Sequence, residues 1–355
     1  MIPQAPGSRP VIWATVPADP SPATDVPEPG DPAATRPSTS PTIASAPAVV
    51  VGVATFRRPA ALARLLPALV AQLEAYAGEA SVLVVDNDPD AGAREEVARW
   101  AGGRVRYAHE PRPGIAAARN RALAGAGDAR LLVFVDDDGL PQPGWLSRMV
   151  EAWLRWRPAA VSGPAVPRFE EGEPDPWVAG SGVFDRTVRP TGMLLGGASS
   201  ANLLLDLEQL RAFGLAFDEA FGLTGGSDTM LTHAIVAAGG EIRWCDEAEV
   251  LDFHSPDRMT RAWVRRRSYR TGNDWSRVAL ALAPSGPRRL AERGELVARG
   301  AVRGATGLAN QLRGRLAHDV ARQALGACQV STAVGVVGGA LGVVSVEYGR
   351  PVTPG

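Results

Sequence analysis

Short apolar runs and stretches of helical period alternate along the chain between residues 49 and 138. Three runs rich in valine and leucine, at 49–55, 81–85 and 131–135, predict buried strands. Leucines recur at helical spacing after Pro59, which predicts a helix that begins at this proline. Strands and helices that alternate in this way favour βαβ units and a mostly parallel sheet.

The pattern is less regular elsewhere but still predicts several elements. Helices are expected at 93–100, 114–126 and 228–238, and strands at 105–108 and 198–205. Residues 167–195 are rich in Pro, Gly, Glu and Asp and are expected to form loops. The predicted fold class is α/β, with a Rossmann-like mixed sheet flanked by helices and a helical C-terminal extension.

Composition divides the chain into three parts. Residues 1–47 contain 12 of the 30 prolines. They are expected to be a disordered Pro/Ala-rich tail, because such a segment buries too little apolar surface to become ordered. Residues 48–257 are predicted to form the α/β domain, and residues 258–355 an Arg-rich helical region. Within that region, 323–346 is uncharged over 24 residues and rich in glycine. It predicts either a segment that enters a membrane or a helical hairpin packed on the domain or a partner.

Charge and residue types exclude several classes of protein. The formal net charge of -1 does not favour a nucleic-acid partner. All 37 basic residues are arginine, which excludes a Walker-type phosphate loop and Schiff-base chemistry. Cys245 and Cys328 are too few for a disulfide framework or a zinc cage, so reduced structural thiols are expected. The chain begins without a basic segment and apolar run, so a cytoplasmic location is expected.

Three aspartates follow the predicted strand at 131–135. Carboxylates at the ligand edge of such a sheet are suited to Mg²⁺ or Mn²⁺, which take their other ligands from water and phosphate. Asp136 and Asp138 would point the same way if the backbone stayed extended. The alternative is an acidic loop that caps the next helix.

A second candidate, Asp228, follows two glycines and begins a predicted helix. It is either a helix N-cap or a general base that takes a proton from an attacking hydroxyl.

Five short motifs follow one another in a recognisable order. They are VATFRRP at 53–59, VVDND at 84–88, RPGIAAARN at 112–120, FVDDD at 134–138 and GGSDT at 225–229. Together they resemble the inverting family 2 glycosyltransferases of the GT-A fold, and most closely the subgroup that builds bacterial exopolysaccharide and surface glycans. The resemblance covers about residues 48–280, so that 48–257 would be a GT-A catalytic domain.

The resemblance implies roles for individual residues. The implied nucleotide and pyrophosphate contacts are Thr55, Arg57, Arg58, Asp86, Arg119 and Asn120, with Asp137 able to contact the ribose. Asp136 and Asp138 match the metal-binding Asp-x-Asp, and Asp228 matches the catalytic base. The chain departs from the family in having Ser227 where a Glu often precedes the base. His254 is the implied counterpart of a histidine that ligates the metal or contacts the acceptor, although a lone histidine is more often structural.

The implied reaction moves a sugar from a nucleoside diphosphate donor to a hydroxyl of a glycan or a lipid-linked acceptor, with inversion. Two alternatives remain open: a sugar nucleotidyltransferase and a non-catalytic scaffold for glycan assembly. Arginines are dense between residues 258 and 270. They predict either a solvated helical face or a surface for an anionic partner, which would be a lipid-linked pyrophosphate acceptor or the cytoplasmic face of the inner membrane.

Overall fold

The computed structural model describes residues 46–100 and 102–345. The predicted tail therefore lies outside the described residues, except for residues 46 and 47. The strands are β1 (Val49–Thr55), β2 (Ala80–Asp86), β3 (Val105–His109), β4 (Leu131–Val135), β5 (Gly139–Pro141), β6 (Ala160–Ser162), β7 (Ala165–Phe169), β8 (Asn202–Asp206), β9 (Ile242–Trp244) and β10 (Val250–His254). The helices are α1 (Pro59–Ala75), α2 (Arg94–Ala98), α3 (Ile115–Gly125), α4 (Trp145–Trp156), α5 (Pro176–Ala179), α6 (Leu207–Ala212), α7 (Ser227–Ala237), α8 (Arg261–Leu282), α9 (Pro287–Leu316) and α10 (Val320–Ala340).

The main sheet has seven strands in the order β3-β2-β1-β4-β8-β6-β9. The first four are parallel, whereas β8 runs antiparallel to both β4 and β6. The predicted α/β class, with a mixed sheet, flanking helices and a helical C-terminal extension, is confirmed. The predicted loop region at 167–195 contains the end of β7 and the short helix α5.

Apolar side chains pack on both faces of the main sheet. Alternate residues of β1 point to opposite sides, so Val51 joins one core cluster and Val50 the other. The first cluster contains the leucines of α1 and two fully buried tryptophans of α4, Trp145 and Trp153. The second cluster lies under α3, α6 and α7. Both faces of the sheet are therefore covered by helices. The edge at which the parallel strands end remains accessible to ligands.

A smaller sheet of order β5-β10-β7 lies beside that edge. Asp252 of β10 pairs with Gly139, the residue that follows the aspartate triplet. This pairing brings Asp252 and His254 next to the aspartates from a distant part of the sequence.

The C-terminal extension consists of α8, α9 and α10, with α10 packed against both of the others. Glycines permit the close approach: a Cβ on Gly335 would lie 2.0 Å from the carbonyl oxygen of Tyr269, and one on Gly326 2.6 Å from that of Gly307. The uncharged segment thus forms a hairpin with α9 that packs on the rest of the protein. In the described part of the chain, no helix is both long and apolar enough to span a membrane.

Candidate active site

The aspartate triplet forms a turn directly after β4. The amide of Gly139 donates a hydrogen bond to the carbonyl oxygen of Asp136 at 2.9 Å. The backbone is therefore not extended here, so the condition under which Asp136 and Asp138 would point the same way is not met. As a result, each of the three carboxylates has its own set of partners.

Asp137 is buried beneath the turn. Its carboxylate accepts hydrogen bonds from the Thr55 hydroxyl at 2.8 Å and from Arg58 at 3.0 Å. Burial raises the pKa of Asp137, although Arg58 and Thr55 oppose the rise. This contact ties the turn after β4 to the loop after β1.

Asp138 is held by two arginines from distant parts of the sequence. Its Oδ2 accepts hydrogen bonds from Arg58 at 2.8 Å and from Arg258 at 3.0 Å. The two guanidinium groups compensate the charge of this carboxylate, and arginine side chains of this kind also bind phosphate groups.

Asp136 has the least compensated carboxylate of the three. The nearest cation is Arg119, with Nη2 3.8 Å from Oδ1. Loss of surrounding water and the charges of Asp138, Asp137 and Asp252 raise the pKa of Asp136 to about 7, against the opposing charge of Arg119. Since 47% of the side chain is exposed, solvent screens part of this effect.

The carboxylates of this cluster fit a divalent cation that takes its other ligands from outside the protein. The described residues contain no group of three or more His, Cys, Asp or Glu side chains placed to hold a metal ion. Mg²⁺ is commonly held by only one or two carboxylates together with water and substrate phosphates. Asp136 and Asp138 supply carboxylate oxygens, and the negative charge around Asp136 is incompletely compensated. These two residues therefore fit a cation that is held by two carboxylates together with water and substrate phosphates.

Asp228 lies in the first turn of α7, after two glycines with φ of +88° and +85°. Only glycine readily adopts this conformation, so Gly225 and Gly226 set the turn that presents the carboxylate. Oδ2 accepts hydrogen bonds from the backbone and hydroxyl of Ser200 and from the Ser199 hydroxyl, at 3.2–3.3 Å. Burial opposes ionisation, but Arg119 and these hydrogen bonds outweigh it, so the pKa of Asp228 lies below its ordinary value. Asp228 is therefore ionised at neutral pH and able to accept a proton.

Arg119 lies between the two candidate groups. Its side chain is 8% exposed and donates a hydrogen bond to the Ser227 hydroxyl at 3.1 Å, while its other terminal nitrogen faces Asp136. Its neighbour Asn120 contacts no carboxylate of this cluster. The Asn120 amide instead bonds both backbone groups of Phe217 at 2.9 Å, which fixes the segment that leads to Asp228.

The loop after β1 and the loop after β2 form one connected unit. Arg57 donates hydrogen bonds to Asp88 at 3.1 Å and to Asp90 at 3.0 Å. Asp86 is fully buried, and its carboxylate accepts hydrogen bonds from the amides of Asp88 and Ala93 and from a tyrosine hydroxyl. In this structure Asp86 shapes the loop, and Asp88, two residues further on, contacts Arg57.

His254 is buried at the end of β10, next to the rings of Phe184 and Trp263. Its Nε2 lies 3.1 Å from Asp252, and its Nδ1 is buried without a hydrogen-bond partner among the described residues. The histidine therefore belongs to the wall of the site, oriented by Asp252.

The sequence analysis did not identify four residues that lie at this site: Ser199, Ser200, Asp252 and Arg258. The first two lie in a plain ASSAN run and the third in DFH, so only their position relative to the aspartates reveals them. Arg258 was assigned to a basic helix, but it precedes α8 and turns towards Asp138.

The Rossmann-like mixed sheet, with carboxylates and arginines gathered at its ligand edge, defines a glycosyltransferase of the GT-A fold. Residues 50–205 match the model of glycosyl transferase family 2. The chain is 33% identical over 234 residues to the succinoglycan biosynthesis protein ExoM of Rhizobium meliloti (strain 1021), a match that covers 64% of this chain and 74% of ExoM. The chain belongs to glycosyl transferase family 2.

A solved structure shows the same fold. The mannosyltransferase PcManGT from Pyrobaculum calidifontis, solved in complex with GDP-Man and Mn²⁺, matches with a TM-score of 0.54 at 20% sequence identity. The match covers 82% of this chain and 87% of that protein.

Proposed function

We propose that the chain transfers a sugar, with inversion, from a nucleoside diphosphate donor to an acceptor hydroxyl in polysaccharide or surface-glycan synthesis. The observation that carries this proposal is the ionised Asp228 on one side of Arg119 and the carboxylate cluster of Asp136 on the other. The relationship to a succinoglycan biosynthesis protein supports the biosynthetic context.

The donor is bound by the loops after β1 and β2. Arg57, Arg58 and Thr55 line the nucleotide side, with Asp86 acting through the loop that it holds and Asp137 within reach of the ribose. Arg58 and Arg258 already flank one carboxylate oxygen, and the same two charges would orient a diphosphate. Arg119 faces the place where the leaving group departs, and Asn120 positions the segment that bears the base.

Asp136 and Asp138 would hold a divalent cation, Mg²⁺ or Mn²⁺, which neutralises charge on the leaving diphosphate when it is bound. The complex of PcManGT with GDP-Man and Mn²⁺ supports the proposal of a divalent cation. We propose His254, which is oriented by Asp252, as a third residue on the side of the site that holds the cation.

Asp228 supplies the base for the attack. The acceptor hydroxyl oxygen forms a bond to the anomeric carbon, the bond from that carbon to the diphosphate oxygen breaks, and the hydroxyl proton moves to the Asp228 carboxylate. Ser199 and Ser200 hold the carboxylate in place for this transfer. Because attack and departure occur on opposite faces, a single displacement inverts the anomeric configuration.

The acceptor is a glycan or a lipid-linked sugar, and the reaction takes place in the cytoplasm. We assign catalysis to residues 48–257 and a supporting role to the helical region of 258–355. Arg258, which contacts Asp138, is the link between the two.

The substitution Asp228→Asn tests the role of the base. It preserves the shape of the side chain but removes the proton acceptor, so transfer should fall by about 10²–10⁴-fold. Donor affinity, measured by calorimetric titration, should remain nearly unchanged.

The matched control is Asp128→Asn at an exposed aspartate after α3, which should leave transfer unchanged. Lost donor affinity in Asp228→Asn would contradict the assignment of the base. Absence of nucleoside diphosphate release by the wild-type protein, with a panel of donors and acceptors, would favour a non-catalytic scaffold.

A further inference from the structure

The longest helix of the described chain, α9, carries an apolar stripe that no other element covers. The stripe consists of large apolar side chains that are 59–74% exposed: Leu290, Val302, Leu308, Leu312 and Leu316. Exposed alanines fill the positions between them, at 298, 301, 305 and 309. With 30 residues, α9 is about 45 Å long, so the stripe is far larger than a scattered set of exposed leucines.

The packing of α9 fixes the direction in which this stripe points. Gly300, Gly307 and Gly314 are buried against α10, at a spacing of seven residues. The helical period of 3.6 residues places Leu308, Leu312 and the other stripe residues away from that glycine face. The stripe therefore faces outward from the C-terminal extension.

The charges beside the stripe distinguish between possible partners. The sequence of α9 contains seven arginines and only two glutamates. Five of these arginines are exposed and form no ion pair with any described residue: Arg288, Arg289, Arg293, Arg313 and Arg315. One glutamate, Glu295, is already paired with Arg299. A second copy of the chain would bring like charges together along this face, whereas an anionic bilayer would supply the missing counter-charge.

We propose that the stripe of α9 docks on the surface of an anionic lipid bilayer, with the helix lying in the plane of the headgroups. The leucines enter the boundary between headgroups and acyl chains, and the flanking arginines contact lipid phosphates. The glycine-rich faces of α10 are used against α8 and α9, and α10 exposes fewer and less accessible large apolar side chains (Val320, Leu325 and Val334) than α9 does. This inference does not depend on the proposed sugar transfer.

The first experiment is co-sedimentation of the full chain with vesicles of phosphatidylcholine and phosphatidylglycerol, or of phosphatidylcholine alone. The wild-type protein should sediment with the anionic vesicles and much less with the neutral ones. In the triple variant Leu308→Gln, Leu312→Gln and Leu316→Gln, partitioning should fall by about tenfold or more. Arg313→Gln and Arg315→Gln should each weaken binding to anionic vesicles by about fivefold.

The matched pair is Leu312→Gln and Leu154→Gln, the second being an exposed leucine on α4 outside the stripe. Only the first should reduce sedimentation, and both should keep the wild-type circular dichroism spectrum and melting temperature. Failure of the wild type to sediment with anionic vesicles would overturn the proposal, as would equal sedimentation by the triple variant. A lipid-free wild-type dimer that the triple variant converts to a monomer, seen by analytical ultracentrifugation, would assign the stripe to self-association instead.

Discussion

Arg119 is the residue whose charge reaches both candidate groups of the site. It is almost fully buried, so its positive charge acts with little screening from water. It contacts the hydroxyl of Ser227, faces Asp136, and lowers the pKa of Asp228. Ser227 thus has a defined contact, and the charge of Arg119 favours the ionised form of Asp228.

The substitution Arg119→Gln should change the pH dependence of transfer. Without the positive charge, the pKa of Asp228 rises, and the base becomes protonated at higher pH than in the wild type. The acid limb of log kcat against pH should therefore move to higher pH. Arg121→Gln, at an exposed position on the same helix, should leave this limb in place. A lower rate with an unmoved acid limb would show that Arg119 does not control the charge of Asp228.

The C-terminal helices depend on glycine for their packing. The close contact of α10 with α8 places Gly335 against the backbone of Tyr269, where a side chain has no room. Five residues further along α8, Asp274 contacts the loop before Asp228, since a Cβ on Gly226 would lie 3.2 Å from Cβ of Asp274. Helix packing in the extension is therefore coupled to the position of the candidate base.

Gly335→Ala should lower the free energy of unfolding by about 1–3 kcal/mol, because the added methyl group forces α10 away from α8. The matched control is Gly294→Ala in α9, where a Cβ would meet no atom within 4 Å. That substitution should stabilise the helix by about 0.5–1 kcal/mol. Urea unfolding measures both values. Equal stability of the two variants would contradict the close packing of α8 and α10.

At the scale of the whole molecule, the site joins segments that are far apart in sequence. Asp138 bonds Arg58 and Arg258, which lie 80 and 120 residues away. A ligand that binds across these segments binds only the folded chain, and its binding free energy adds to the stability of the fold.

A nucleotide-sugar donor that binds with Mn²⁺ should therefore raise the melting temperature of the protein. At about 100 times its Kd, such a ligand adds about 2.7 kcal/mol to the free energy of unfolding. Asp136→Asn should remove the Mn²⁺-dependent part of the increase, and the exposed Asp128→Asn should not. A Mn²⁺-dependent increase that persists in Asp136→Asn, or an increase that EDTA does not reduce, would exclude this carboxylate as a cation ligand.

Local patterns in the sequence determined much of this protein. The apolar runs specified β1, β2 and β4, because a buried strand requires such a run whatever packs against it. The ordered motifs indicated the family, and the motif at 134–138 placed three carboxylates after a strand.

Only the tertiary structure decided which groups meet. Asp138 lies between Arg58 and Arg258 because β1, β4 and β10 converge, and no local spacing encodes that convergence. Periodicity and charge left open how the C-terminal helices pack. An uncharged helix can face lipid or other helices, and its composition alone does not say which. The glycines of α10 place it against α8 and α9, and the leucines of α9 form an apolar stripe on the outer side of that packing.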